Sequence, residues 1–123
     1  MQQFKIIIAG SRDFSSFKTL ENFCNTVIPS GVEVTIISGG ARGADRLGER
    51  YARKYNYSLQ IYPAEWDVYG RAAGPIRNEQ MASVATHLIA FWDGSSRGTQ
   101  NMINLAHRYG LDTRICYYKK KSA

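Results

Sequence analysis

The sequence predicts an open α/β fold, one domain with a mainly parallel sheet of about five strands and helices on both faces. Three observations predict it. Apolar, β-branched runs of strand length alternate with amphipathic helical stretches, the connections between them are short, and 123 residues of 44% apolar content suffice for a single core. Because right-handed crossovers return each helix to the sheet, such alternation makes neighbouring strands parallel. The domain is expected over residues 1–118, followed by a short basic tail at 119–123.

The elements follow from hydrophobic period and punctuation. Phe4 to Ala9 is rich in isoleucine, as a strand buried on both faces requires, and it stops at Gly10. Leu20, Phe23, Cys24, Val27 and Ile28 fall at helical spacing before Pro29 and Gly31, and Val32 to Ile37 is the second strand. Ala44, Leu47, Gly48, Tyr51, Ala52 and Tyr55 make one helical stripe, with Arg46, Glu49, Arg50, Arg53 and Lys54 on the solvated face. Leu59 to Tyr62 reads as a third strand. Pro63 to Pro75, rich in glycine, proline and aromatics, reads as a long irregular loop of the kind that carries function. Ile76 to Val84 is expected to be a helix, His87 to Trp92 a strand, Thr99 to Tyr109 a helix and Arg114 to Tyr118 the last strand.

Composition narrows the function classes. No apolar run is long enough to cross a bilayer and nothing at the N-terminus reads as a secretory signal, so a cytoplasmic protein is expected. Cys24 and Cys116 lie far apart inside apolar patterns, which predicts reduced core thiols and neither a disulfide nor a metal site. The net charge of +6 favours anionic partners. His87 and His107 join no nucleophilic or metal-binding constellation, and no cofactor is implied.

In such sheets ligands bind outside the carboxyl ends of the strands, so the turns after each strand are the informative segments. The first strand runs into Gly10-Ser11-Arg12-Asp13-Phe14, the second into Ser38-Gly39-Gly40-Ala41-Arg42-Gly43-Ala44-Asp45, and the fourth into Asp93-Gly94-Ser95-Ser96-Arg97-Gly98-Thr99. Glycine allows the backbone close to a ligand, a helix beginning there presents unpaired N–H groups to an anion, and arginine offers a planar fork matched to phosphate. With Arg71 and Arg77 from the following segment, five arginines (Arg12, Arg42, Arg71, Arg77 and Arg97) are expected to meet on one edge of the sheet around a phosphate-bearing ligand. Trp66 and Tyr69 are candidates for stacking on a base. Asp13, Asp45, Glu65, Asp67, Glu79 and Asp93 lie nearby, and Asp45, opening a helix, is expected to stabilise its positive end. Neither G-x-x-x-x-G-K-[ST] nor G-x-G-x-x-G occurs, which argues against a kinase, an ATPase or an ordinary dehydrogenase.

GSRDF after the first strand, SGGARGAD after the second, PIRNEQM before the fourth and DGSSRGT after it resemble the SLOG superfamily, closest to its small stand-alone YspA-like branch. The resemblance implies a Rossmann-like domain. It also implies kinship with the core of DNA-processing protein A, which binds single-stranded DNA, with the "lonely guy" phosphoribohydrolases, and with sensor domains for nucleotide-derived signals. Carried over, Gly10, Ser11 and Arg12 would flank the ligand, Gly39, Gly40 and Gly43 would line it, Gly98 and Thr99 would hold phosphate at a helix N-terminus, and Arg77 matches the arginine of the helix before the fourth strand. The phosphoribohydrolases carry a glutamate after their Gly-Thr pair; here Met102 stands in its place. Glu79, near Arg77, is the substitute acid if the protein is a hydrolase of nucleoside 5'-monophosphates.

The leading expectation is therefore a module binding a nucleotide or nucleotide-derived small molecule through Gly10, Ser11, Arg12, Ser38, Gly39, Gly40, Arg42, Gly43, Arg71, Arg77, Asp93, Gly94, Ser95, Arg97, Gly98 and Thr99. N-glycosidic hydrolysis with Glu79 and Arg77 as the catalytic pair is the alternative, and single-stranded nucleic-acid binding the third reading. Related domains often dimerise, so a homo-oligomer is possible, whereas no membrane partner is expected.

Overall fold

The isoleucine-rich run forms β1 (Gln3–Gly10), the central strand of the sheet. On one side of it lie β2 (Glu33–Ser38) and β3 (Ser58–Ile61), and on the other β4 (His87–Trp92) and β5 (Asp112–Tyr117), giving the order β3-β2-β1-β4-β5 with every adjacent pair parallel. The computed structural model describes residues 2–119. Of the expected basic tail, Lys119 falls within that range and 120–123 lie outside the described residues.

The strand period of two sends alternate residues of β1 to opposite sides of the sheet, and each set is buried by a different pair of helices. Ile6 and Ile8 pack with Ile36 and Phe91 under α1 (Phe17–Val27) and α2 (Ala44–Lys54), which contribute Leu20, Cys24, Tyr51 and Ala52. Each of these fully buried aliphatic side chains contributes about 1.5–3 kcal/mol. Gly48 of α2 lies directly over Ile8, where an added Cβ would come within 2.8 Å of the isoleucine Cβ. That close approach offsets the cost of about 1 kcal/mol for glycine inside a helix.

After β3 the chain enters α3 (Trp66–Tyr69), a 3-10 turn (Gly70–Ala72) and α4 (Ala73–Val84), and α5 (Arg97–Arg108) links β4 to β5. α4 and α5 cover the other face, where Met81, Ala82, Met102 and Ile103 bury Ile7, Ala9, Ile37, Leu88 and Ala90. The expected loop from Pro63 to Pro75 is thus largely helical, and Pro75 is the third residue of α4. Proline is accommodated there because amides of the first helical turn have no intrahelical acceptor to lose.

The chain leaves β1 through α1 toward β2, and leaves β4 through α5 toward β5, in opposite directions. Such a reversal opens a crevice above the two strand ends. Cys24 is buried and Cys116 half-buried, both as free thiols, and burial pushes the Cys24 thiol up to about 12. Among the described residues no helix is long and apolar enough to cross a membrane, and no group of three or more His, Cys, Asp or Glu side chains could hold a metal ion.

Candidate functional site

A cleft of about 740 Å³ occupies the crevice above β1 and β4. Arg12 from the turn after β1, Arg77 from α4 and Arg97 from the start of α5 line it together. Its floor is β1 backbone, and Gly10 is needed there because a Cβ would collide with the Phe91 carbonyl and come within 2.8 Å of the Ala44 Cβ. The main-chain N–H of Ser11 donates to the Phe91 carbonyl at 3.1 Å. The Ser11 hydroxyl, in a residue only 3% exposed, has no hydrogen-bond partner among the described residues, and the nearby Tyr118 phenol donates instead to Asp13. An unpaired buried hydroxyl costs about 1–3 kcal/mol, which a ligand oxygen at this point would offset.

Opposite Ser11, the Asp93 carboxylate accepts the N–H groups of Ser95 and Ser96 at 2.9 and 2.8 Å, closing the turn that launches α5. The first turn of α5 holds no acidic residue, and the Ser96 side chain makes no capping hydrogen bond; its hydroxyl lies 3.3 Å from that of Thr99. The Asp93 carboxylate thus offsets part of the positive helix end, while the N–H groups of the first turn itself carry no side-chain cap where they meet the cleft, a setting that favours an anion.

Arg77 crosses from α4 to the turn after β2. Its Nη1 donates to the Gly39 carbonyl and its Nε to the Asn78 side chain at 3.0 Å. Gly39 is required because a Cβ would overlap the guanidinium. Burial holds the Arg77 pKa below its ordinary value, against the opposing pull of Asp45. Asp45, itself 6% exposed, accepts the Ala41 N–H at 3.2 Å, and burial pushes its carboxyl up to about 6. Asn78 ties α4 to α5 by donating to Asn101 at 2.8 Å. Past Arg12, Ala41, Trp66 and Arg77 the cleft continues into a second lobe of about 570 Å³, bordered also by Gly39, Gly40, Arg42, Arg46, Glu49, Ile61 and Pro63.

A family model described as the YspA, cpYpsA-related SLOG family matches residues 4–69, which span more than half of the chain, from β1 through α3. The chain belongs to this SLOG family. It is similar to the gene 61 protein of Mycobacterium phage D29, with 28% identity over 114 residues covering 87% of this chain and 91% of that protein. Its fold is that of DNA processing protein A from Streptococcus pneumoniae, with a TM-score of 0.71 at 19% identity over 93% of this chain. The chain spans 50% of the length of that structure.

The SLOG domain brings together most of the residues singled out by sequence. Gly10, Ser11, Arg12, Trp66, Arg77, Asp93, Ser95, Arg97, Gly98 and Thr99 border the first lobe, and Gly39, Gly40 and Arg42 the second. Others do not reach it. Ser38 is fully buried with its hydroxyl donating to Glu49 at 2.7 Å, Gly43 at φ 80° sits against the Ser11 and Arg12 carbonyls, and Gly94 at φ 87° serves the turn. Arg71 and Tyr69 are exposed on the 3-10 turn and α3, so four of the five predicted arginines share the groove rather than all five.

Glu79 requires the largest correction. Two residues after Arg77 on a helix, it points roughly 200° away, and it accepts the Tyr109 phenol at 2.9 Å on the exposed side of α4 and α5. The expected Arg77–Glu79 pair is not formed, and Met102 lines the cleft. Asp45, read from sequence as a helix stabiliser, lines the first lobe, and Arg46, read as solvated, borders the second. Asn78, Ser96 and Asn101 were not among the expected binding residues; Asn78 stands beside Arg77 in PIRNEQM and Ser96 inside DGSSRGT, whereas no motif marks Asn101.

Proposed function

We propose that this SLOG domain binds a phosphate-bearing, nucleotide-type small molecule at the carboxyl end of β1 and β4. The observation that carries this reading is that Arg12, Arg77 and Arg97, on three separate elements, border one cleft with the Ser11 hydroxyl and the N-terminus of α5. Guanidinium forks and a helix N-terminus without a side-chain cap are the groups that recognise phosphate, while Ala9, Pro75, Met81, Met102 and the Trp66 ring offer apolar surface for a base and sugar. Nucleotide-related family membership points the same way. A hydrolytic role gains no support from Glu79, which lies outside the cleft.

The test is thermal unfolding with a panel of nucleoside mono- and diphosphates, ADP-ribose and cyclic nucleotides. A ligand at a hundredfold excess over its Kd should add about 2.7 kcal/mol, a rise of several degrees in Tm. Ser11→Ala removes an unpaired buried hydroxyl, so the free protein should keep or raise its Tm while the ligand-induced rise shrinks. A panel without any response, or a Ser11→Ala variant with an undiminished rise, would count against this site.

A further inference from the structure

The cleft above β1 and β4 is one end of a longer channel. Arg12, Ala41, Trp66 and Arg77 border both lobes, so the two spaces join at the neck these residues make. Each lobe, at about 740 and 570 Å³, lies within the roughly 300–1,000 Å³ of a small-molecule site. A mononucleotide in the first would leave the second unused.

The two lobes differ in charge. Asp13, Asp45 and Asp93 balance Arg12, Arg77 and Arg97 in the first, whereas Glu49 alone faces Arg12, Arg42, Arg46 and Arg77 in the second. Glu49 is drawn inward, 2% exposed, accepting the Ser38 hydroxyl at 2.7 Å, with Arg46 at 3.8 Å. Two of the local amides are already used, Gly40 N–H by Ser38 at 3.0 Å and Ala41 N–H by Asp45 at 3.2 Å. Recognition in this lobe therefore falls to the exposed guanidinium groups, with Ile61, Pro63 and the half-exposed Trp66 as the apolar surface.

We propose that Arg42 and Arg46, with Arg12 at the neck, form a second anion subsite, and that the ligand is a dinucleotide whose two phosphates, separated by a nucleoside, occupy the two lobes. This rests on the reading of the first lobe as a nucleotide site. Farther along α2 the positive surface is interrupted, as a polymer track would not be: Arg50 lies 4.1 Å over the Phe17 ring and Lys54 pairs with Glu21, leaving Arg53, which shares Glu49 with Arg46, as a further exposed guanidinium of that helix.

The test is titration calorimetry at fixed salt with the four nucleoside 5'-monophosphates, the matching 5'-phosphorylated dinucleotides and a homopolymeric oligonucleotide of about twelve residues. The dinucleotide should bind at least about tenfold tighter than its monophosphate, as expected for one added charge-assisted phosphate contact. In the Arg42→Ala/Arg46→Ala double variant that advantage should vanish while monophosphate affinity stays within about twofold. Equal wild-type affinities, or a double variant that keeps the advantage, overturn the second subsite and leave the first-lobe reading standing. Binding of no mono- or dinucleotide overturns the second subsite, and together with a silent unfolding panel it removes the first-lobe reading as well. An oligonucleotide bound more tightly than its multiple registers allow replaces the small-molecule ligand with a single-stranded polymer.

Discussion

Asp45 shows how one residue joins stability to the site. Its carboxyl borders the cleft beside Arg77, and burial raises it from 3.8 to about 6. The folded chain thus holds this proton more tightly than the unfolded chain, so the associated stability is complete below about pH 3.8 and is lost as the pH rises through about 6. Asp45→Asn keeps an oxygen for the Ala41 N–H and removes the buried charge. Urea unfolding should find the variant more stable than wild type at pH 7.5 by up to roughly 3 kcal/mol, with the difference shrinking to nothing near pH 4. A difference constant with pH would mean that Asp45 titrates as an ordinary surface carboxylate.

At the scale of elements, the contact that sets the width of the cleft is the one between α4 and α5. Asn78 is buried, donating to the Asn101 side chain at 2.8 Å and to the Gly98 carbonyl at 3.4 Å, and both asparagines border the cleft. Asn78→Ala should destabilise the domain by about 1–3 kcal/mol, because it leaves the Asn101 amide oxygen without its donor. Asn101→Ala should cost less, and the double variant less than the sum of the two, since a shared bond is lost only once. Chemical denaturation of the four proteins measures the cycle; strict additivity would mean that the pair is not coupled. The sequence made β1, α2 and β4 legible to within a residue or two because burial alone imposes their periods. The segment from Pro63 to Pro75 was misread because α3 buries none of its residues and the local composition of glycine, proline and aromatics reads as turn.

For the whole molecule, the relevant quantity is the distribution of its charge rather than the net value of +6. Arg12, Arg42, Arg46, Arg77 and Arg97 border one groove, while Arg114 is bound to Asp112 at 2.8 Å and Lys54 to Glu21 elsewhere. A ligand held by this groove displaces few counterions, so the slope of log K against log salt should lie near −1 to −2. Calorimetry of the best nucleotide between about 50 and 200 mM salt measures it, and a slope near −5 would indicate a polyanion laid over a wider surface.

The alternating hydrophobic pattern by itself determined the fold class, the strand and helix sequence and the three turns at which a ligand would be sought, because the burial of a two-faced sheet leaves its period in the chain. Only the tertiary structure decided which turn residues share a space. Arg71 and Arg77 stand equally well in the sequence, as do Glu79 and Asp45, yet one of each pair borders the groove and the other faces away. That choice depends on the rotation of α4 against the sheet and on the order β3-β2-β1-β4-β5, which fixes where the crevice opens. Both arise from contacts between residues far apart in the chain, and a local pattern carries no record of them.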